Sequence, residues 1–228
     1  YEFHIIYHAL HNFCVLDLSA FYLDILKDRL YTSPPASLAR RGAQTVMHLL
    51  LSAMARLMAP ILAFTADEIW QHMPERADRP WNIHLARLPE VNRDDIDPAL
   101  AERWERLLAV RAEVMKALEE ARARKLIGHP LDAAVTLAAE TDLNEFLTAY
   151  ADDLRSIMIV SKVNLVGPEA LAGAYESEVI PSLFIRIEAA AAQKCERCWV
   201  YDISVGKDEQ HKTICSRCVE VLRKIDDC

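Results

Sequence analysis

Apolar residues in the first part of the chain recur every three or four positions. Phe3, Ile6, Tyr7, Leu10, Phe13 and Cys14, then Leu18, Phe21, Tyr22 and Ile25, predict one long amphipathic helix, or two in line, ending near Leu30. Ser33-Pro34-Pro35 interrupts it, because proline lacks an amide donor and steers its predecessor away from the helical region. The helical period resumes over Ala36–Met58, with Val46, Leu49, Leu50, Ala53 and Leu57 as the apolar stripe, and Pro60 stops or kinks it. Thr65 followed by Glu68 reads as a capping box opening a short helix through Trp70.

Segment 74–96, rich in Pro, Asp and Arg, predicts a connecting loop. Asp97-Pro98 then supplies an N-cap and a first-turn proline for another long helix. Its expected buried stripe is Trp104, Leu107, Leu108, Met115 and Leu118, with the stem of Arg111. After Gly128-His129-Pro130 the period shortens to strand-like runs at 133–137, 157–166 and 179–188, the first two separated by a helix at 142–155. The fold class this predicts is mainly α, an antiparallel helical bundle followed by a small α+β unit and a C-terminal four-cysteine zinc ribbon. The domain boundaries are 1–130, 131–193 and 194–228.

Composition narrows the picture. Hydrophobic residues make up 52% of 228 positions and charged ones 26%, enough apolar material for a packed core. There are only 5 glycines, which suits helices. No run of about 18 uncharged apolar residues is present, and the first residues lack the features of a signal peptide. The expectation is a cytoplasmic, monomeric protein with no membrane partner. A chain that starts at Tyr1 within a helical pattern reads as a piece of something longer. A net charge of −8 argues against strong, sequence-indifferent binding of polyanions, so any nucleic-acid contact must rest on local patches and shape.

The sharpest motif is Cys195-x2-Cys198, sixteen residues, then Cys215-x2-Cys218. Two CxxC pairs at this spacing match the zinc-ribbon template. Four thiolates satisfy tetrahedral Zn²⁺ and leave no position for a reacting water, so the predicted ion is structural, one per chain. A redox role for the CxxC pairs, and His211 as a substitute ligand, are the alternatives. Trp199, Arg197 and Arg217 in this segment are candidates for stacking on and pairing with unpaired RNA bases, against the reading in which Trp199 packs under the zinc loop. Yet residues 194–228 carry seven basic and seven acidic side chains, so the local field is weak. Arg111, Arg122 and Lys125 on the long helix, and Arg40-Arg41, are further RNA-contact candidates, against the reading of solvated faces with i, i+4 pairs. No Ser-His-Asp order, P-loop or GxGxxG is found, and no catalytic residue is assigned.

FYLDILKDRLY at 21–31, RRGAQTVMHLLL at 40–51, RLMAPILAFTADEIWQHMP at 56–74 and KCERCWVY at 194–201 resemble the bacterial isoleucyl-tRNA synthetases, members of class I. The KDRLY and FTADEIW blocks are shared with the valyl and leucyl enzymes; the KCERCW module followed by ICSRCVEVL narrows the resemblance. It implies the class I anticodon-binding fold and a zinc tail that together grip the anticodon stem-loop of isoleucine tRNA. It also implies that ATP-dependent aminoacylation and editing belong to a catalytic body absent from this chain, since the HIGH-like and KMSKS-like sequences do not occur. Two alternatives from other classes are a zinc-stapled interaction module without specific RNA binding, and a nucleic-acid-binding finger of the DNA-glycosylase type.

Overall fold

The protein is described by a computed structural model covering residues 2–75, 77, 79–167, 171 and 174–226. It divides into two compact units, residues 1–30 with 35–96 and residues 31–34 with 97–228.

In the first unit, α1 (Phe3–Asn12), ten residues in wider π-type turns (Phe13–Tyr22) and α2 (Leu23–Thr32) form one unbroken helical stretch. By length and composition alone this stretch could cross a membrane, and little of it is buried. Its charges, among them Asp17, Asp24 and the paired Lys27, are spread along it. The next helix, α3 (Leu38–Met58), opens on Ser37, whose Oγ accepts from the Arg40 amide at 3.3 Å, and ends before Pro60. It packs through small residues: Ala43 and Ala55 are buried, while Val46, Leu49 and Leu57 of the predicted stripe stay exposed.

The helix α4 (Ala63–His72) buries Ala66 and Trp70 against Ala55, Ala59, Met73 and Ile83. It begins two residues before the predicted cap. The amides of Ile61 and Leu62 bond to the Met58 carbonyl, and this turn hands the chain directly into the helix, so Leu62 rather than Thr65 accepts the first helical bond. The following loop is strapped onto α4. Trp70 Nε1 donates to the Pro80 carbonyl at 2.9 Å, and the Arg79 guanidinium stacks over the Trp70 ring while donating to the carbonyls of Trp70 and Met73. Arg76 and Asp78 of that loop lie outside the described residues.

The second unit starts with α5 (Pro98–Ala123). Asp97 caps it as expected, its carboxylate accepting from the Leu100 amide at 2.9 Å, with Pro98 in the first turn. Its buried face is Leu107, Val110, Val114, Ala117, Leu118 and Ala121. Steps of three and four residues keep these on one line, whereas Leu108, counted in the predicted stripe, turns away and is exposed. Trp104 and Met115 flank the core, and Arg111 Nε donates to the Ile157 carbonyl at 2.9 Å. Because this face packs on the sheet, α5 groups with the α+β part by compactness, ahead of the boundary at 130 expected from the sequence.

The sheet has the order β2-β1-β4-β3, built from β1 (Ala133–Ala138), β2 (Lys162–Val166), β3 (Tyr175–Glu176) and β4 (Phe184–Ala189). Strand β1 runs parallel to β2, which demands a crossover, and α6 (Thr141–Thr148) with α7 (Ala151–Met158) supplies it. Strand β4 returns antiparallel to β1, with Val135 opposite Ile187. The single helix expected at 142–155 is thus two, and the strand expected from 157 begins at Lys162. Leu154, Ile157 and Met158 share one buried helical face, so the helix continues until Ile159 adopts a left-handed conformation (φ 56°) and the Val160 amide closes back on the Arg155 carbonyl. The expected strand at 179–188 starts only at Phe184, because 180–182 form a turn with Ser182 at φ 58°.

One buried charge ties α5 to the sheet edge. Glu113 is 2% exposed; its Oε2 accepts from Ser177 Oγ at 2.8 Å and the Tyr175 hydroxyl at 3.2 Å, and Oε1 takes the Lys116 ammonium at 2.6 Å. Ser177 Oγ in turn accepts the amides of Val179 and Ile180, fixing the turn before β4. The bond from Lys116, opposed by burial and helped by Ser177 and Tyr175, lowers the Glu113 pKa. A carboxylate depressed on folding adds stability above its unfolded pKa and loses it as pH falls through the folded value, so this contribution is present at neutral pH and disappears only in acid. Glu113→Ala, which strands the Ser177 and Tyr175 hydroxyls, is expected to cost about 2–3 kcal/mol in urea unfolding at pH 7 and less at low pH. A loss that is the same at both pH values would contradict the ionised carboxylate.

Candidate functional site

The last 34 described residues fold around sulfur. Strands β5 (Gln193–Lys194) and β6 (Tyr201–Asp202) form a short antiparallel ribbon whose turn carries Cys195 and Cys198; the second pair lies at the start of α8 (Ser216–Asp226). In the first knuckle the Cys195 amide donates to the Val200 carbonyl at 2.9 Å, and the Trp199 amide to the Cys195 carbonyl at 2.8 Å. In the second, the Val219 amide returns to the Cys215 carbonyl, and the Cys215 amide points at Cys195 Sγ at 3.3 Å. All four thiols are buried, and their Sγ atoms lie within 4.8 Å of one another.

The spacing decides what this cluster can hold. Cys195 and Cys218 Sγ are 3.8 Å apart, as are those of Cys198 and Cys215. That is too long for a disulfide, whose sulfurs sit about 2.05 Å apart. It equals the edge of a tetrahedron with bonds of about 2.3 Å to a central ion, an edge of about 3.8 Å. His211 is not part of the group; its amide caps onto Asp208 instead.

Electrostatics point the same way. Hydrogen bonding from Cys218, joined by the Val200 amide and Arg217, holds the Cys198 thiol down to about 4 despite burial. Its partner Cys218, which supplies that proton and is itself buried, is pushed up, and burial raises Cys215 too. Four sulfurs packed together cannot all ionise without a counter-charge, and a dication at their centre supplies one. The positive end of α8 adds a smaller pull on Cys215 and Cys218.

The ribbon is riveted to the α+β part. Ser161, 6% exposed, donates its Oγ–H to the Leu131 carbonyl and accepts the Tyr201 amide at 2.8 Å. Leu131 packs into the cysteine cluster beside Val200, Ile214 and Val219. Asp132 receives the amides of Gly128 and His129 on one oxygen, and the Lys194 ammonium at 3.7 Å on the other; the Tyr201 hydroxyl also donates to it.

The predicted RNA-contact residues fall in different settings. Trp199 is 60% exposed and takes φ 64°, a conformation in which a tryptophan is strained. Arg197, half-buried, donates to the Thr32 carbonyl at 2.8 Å and approaches Cys218 Sγ at 3.7 Å, while Arg217 bonds to Cys198. These two arginines therefore serve the sulfur cluster. Arg111 is engaged between α5 and α7, as described. Arg122 is exposed and pairs with Glu119 at 2.8 Å, and Lys125 is exposed with no ion-pair partner among the described residues. Arg40 and Arg41 sit in the first turn of α3 in the other unit. The structure thus gathers Trp199, Arg197 and Arg217 at the knuckle, and Arg122 and Lys125 at the end of α5. The contribution of Ser161 and Asp132 to seating the knuckle was missed; only their nearness to the ends of strands could have hinted at it.

Residues 1–137 match the family model described as the anticodon-binding domain of tRNA ligase, and residues 192–221 match a zinc finger found in FPG and IleRS. The chain belongs to the anticodon-binding family of tRNA ligases, and its tail is a zinc finger holding a structural Zn²⁺. Among its relatives are isoleucine–tRNA ligases of Moorella thermoacetica, 48% identical over 99% of this chain, Geobacter sulfurreducens, 51% over 98%, and Syntrophotalea carbinolica, 50% over 97%. The chain spans 24% of the length of each. The finger alone does not separate a glycosylase from a synthetase, but the match over 1–137 does.

Plasma emission spectrometry of the purified chain is expected to find one zinc per molecule. A strong chelator should melt the segment from Cys195 to α8 while leaving the sheet intact, since a module of this size draws on the order of 10 kcal/mol of folding free energy from its ion. Because thiolates, not thiols, bind the metal, lowering the pH should release it. Zinc retained in full by a Cys198→Ser, Cys215→Ser double variant would refute the four-sulfur site.

Proposed function

We propose that this chain is the tRNA-reading part of an isoleucine–tRNA ligase. In this reading Cys195, Cys198, Cys215 and Cys218 are the zinc ligands, and residues 1–130 with the junction 131–193 and the tail 194–228 grip the anticodon stem-loop of isoleucine tRNA. The observation that carries it is the pairing, in one chain, of an anticodon-binding match over 1–137 with a zinc finger over 192–221, at about half identity to isoleucine–tRNA ligases along nearly the whole length. Attachment of isoleucine with ATP belongs to the rest of the polypeptide. The chain itself performs no catalysis, and it acts as a monomer in the cytoplasm. The same membership favours α1 and α2 as part of a helical bundle over a membrane-crossing segment.

Trp199 is the residue we assign to base stacking. An exposed indole held at positive φ is a costly place for a large apolar side chain, where glycine would sit without strain. Unpaired RNA bases are read by stacking on such platforms, each worth roughly 1–3 kcal/mol. Arg197 and Arg217, fixed against the sulfur cluster, hold the knuckle that presents it. Phosphate contacts from Arg40, Arg41, Arg122 and Lys125 complete the reading.

The test is a titration with labelled isoleucine tRNA and a non-cognate tRNA at two salt concentrations, with and without chelator. Cognate preference that weakens with salt and is lost on chelation is expected. Equal, feeble binding to both would favour a zinc-stapled interaction module instead. Trp199→Gly should weaken tRNA binding on the order of tenfold while leaving the thermal midpoint unchanged or higher, the opposite of what loss of a packing residue does.

A further inference from the structure

At the C-terminal end of α5 the second unit contains an open cleft of about 540 Å³, between the last helical turn, the end of β4 and the zinc ribbon. That is within the range of small-ligand sites, roughly 300–1,000 Å³. Arg122, Lys125, Gly128, Asp132 and Tyr201 are among the residues that line it. The cleft therefore gathers two cations, an aromatic ring and a carboxylate in one lining.

Its most informative residue is Lys125. Helix α5 ends in a Schellman motif: the Leu126 amide bonds to the Ala121 carbonyl and the Lys125 amide to the Arg122 carbonyl, each at 2.9 Å. The residue at the turn must adopt the left-handed conformation, and Lys125 does so at φ 59°. Glycine is the ordinary occupant of this place, because any Cβ there is strained. A lysine in its stead puts an ammonium at the cleft wall with no ion-pair partner among the described residues. Arg122 beside it shares only one guanidinium nitrogen with Glu119, leaving other donors for a ligand.

Tyr201 and Asp132 are held rigidly. The Tyr201 backbone is pinned by Ser161, its hydroxyl donates to Asp132, and the Lys194 ammonium lies 5.6 Å from its ring centroid. Asp132 is itself oriented by the Gly128 and His129 amides. A ring ordered before binding loses little entropy when a ligand stacks on it.

We propose that this cleft takes a single unstacked nucleotide of the bound tRNA, its phosphate on Arg122 and Lys125 and its base against Tyr201. The proposal rests on the tRNA-binding reading above and adds to it a second RNA contact, apart from Trp199.

Fluorescence titration of the full chain with isoleucine tRNA tests it. Lys125→Gly removes the charge and relieves the strained turn together. It is expected to keep or raise the thermal midpoint, weaken binding about three- to tenfold, and reduce the slope of log affinity against log salt by about 0.7–0.9. Tyr201→Phe should bind nearly as the parent does, whereas Tyr201→Leu should lose on the order of tenfold. Adenosine monophosphate alone should not saturate the cleft below millimolar concentration. If the parent binds tRNA but Lys125→Gly and Tyr201→Leu bind equally well with an unchanged salt slope, the cleft is not an RNA site and the tRNA reading stands. If the parent shows no salt-dependent tRNA binding, both are wrong. Micromolar binding of the free mononucleotide that Lys125→Gly abolishes, with tRNA affinity unaffected, overturns the assignment to RNA.

Discussion

Four buried sulfurs about one ion are the constraint on which the tail depends. Residues 193–226 contribute two two-residue strands and one helix, too little apolar surface to offset the entropy of ordering them. The cluster that closes them consists largely of the cysteines themselves, with Val200, Ile214 and Val219 around them. Once the ion fixes the two knuckles, everything they carry is fixed too: Trp199 outward at its strained turn, Arg197 and Arg217 inward against sulfur, and Tyr201 toward the sheet.

The second dependence is mechanical. The ribbon is held to the sheet in a set orientation, and Ser161 provides that hold. Its hydroxyl donates to Leu131 at the start of β1 and accepts from Tyr201 in β6, so one buried side chain joins strand ends from two sheets. Asp132, the next residue along, repeats the linkage through Lys194 and Tyr201. The sheet is in turn pressed against α5, where Glu113 holds the edge strand through Ser177 and Tyr175. The end of α5 and the knuckle thus belong to one continuous packed body, which brings Arg122 and Lys125 to the same cleft as Tyr201.

How far the sequence could be read follows from the range of each interaction. The CxxC pairs announced the sulfur cluster, because a knuckle is a local structure and its spacing is its geometry. Asp97-Pro98 announced a helix start for the same reason. The long helices were visible in their period, and α5 was expected in the right place. Its buried line, however, was drawn through Leu108 when the face that packs passes through Val110 and Val114. The end of the helix 151–158 reads as strand in the sequence, since Ile157, Ile159 and Val160 are β-branched, and only the burial of Leu154, Ile157 and Met158 on one face carries the helix through Met158. The strained Lys125 and Trp199 turns were invisible, because both positions carry residues that propensity would never place at positive φ. The cleft was out of reach altogether, being made from segments 122–132, 189–190 and 201 that meet only in the fold.

Amide hydrogen exchange of the zinc-loaded chain, with and without isoleucine tRNA, tests the central claim most directly: that RNA is read by a surface which the ion-ordered ribbon builds with the end of α5. Bound tRNA is expected to slow exchange in two segments above others in the second unit, 121–132 and 195–205, and chelation to abolish the effect in both. Protection confined to the unit formed by residues 1–30 with 35–96, or protection of 195–205 that survives removal of the metal, would contradict it.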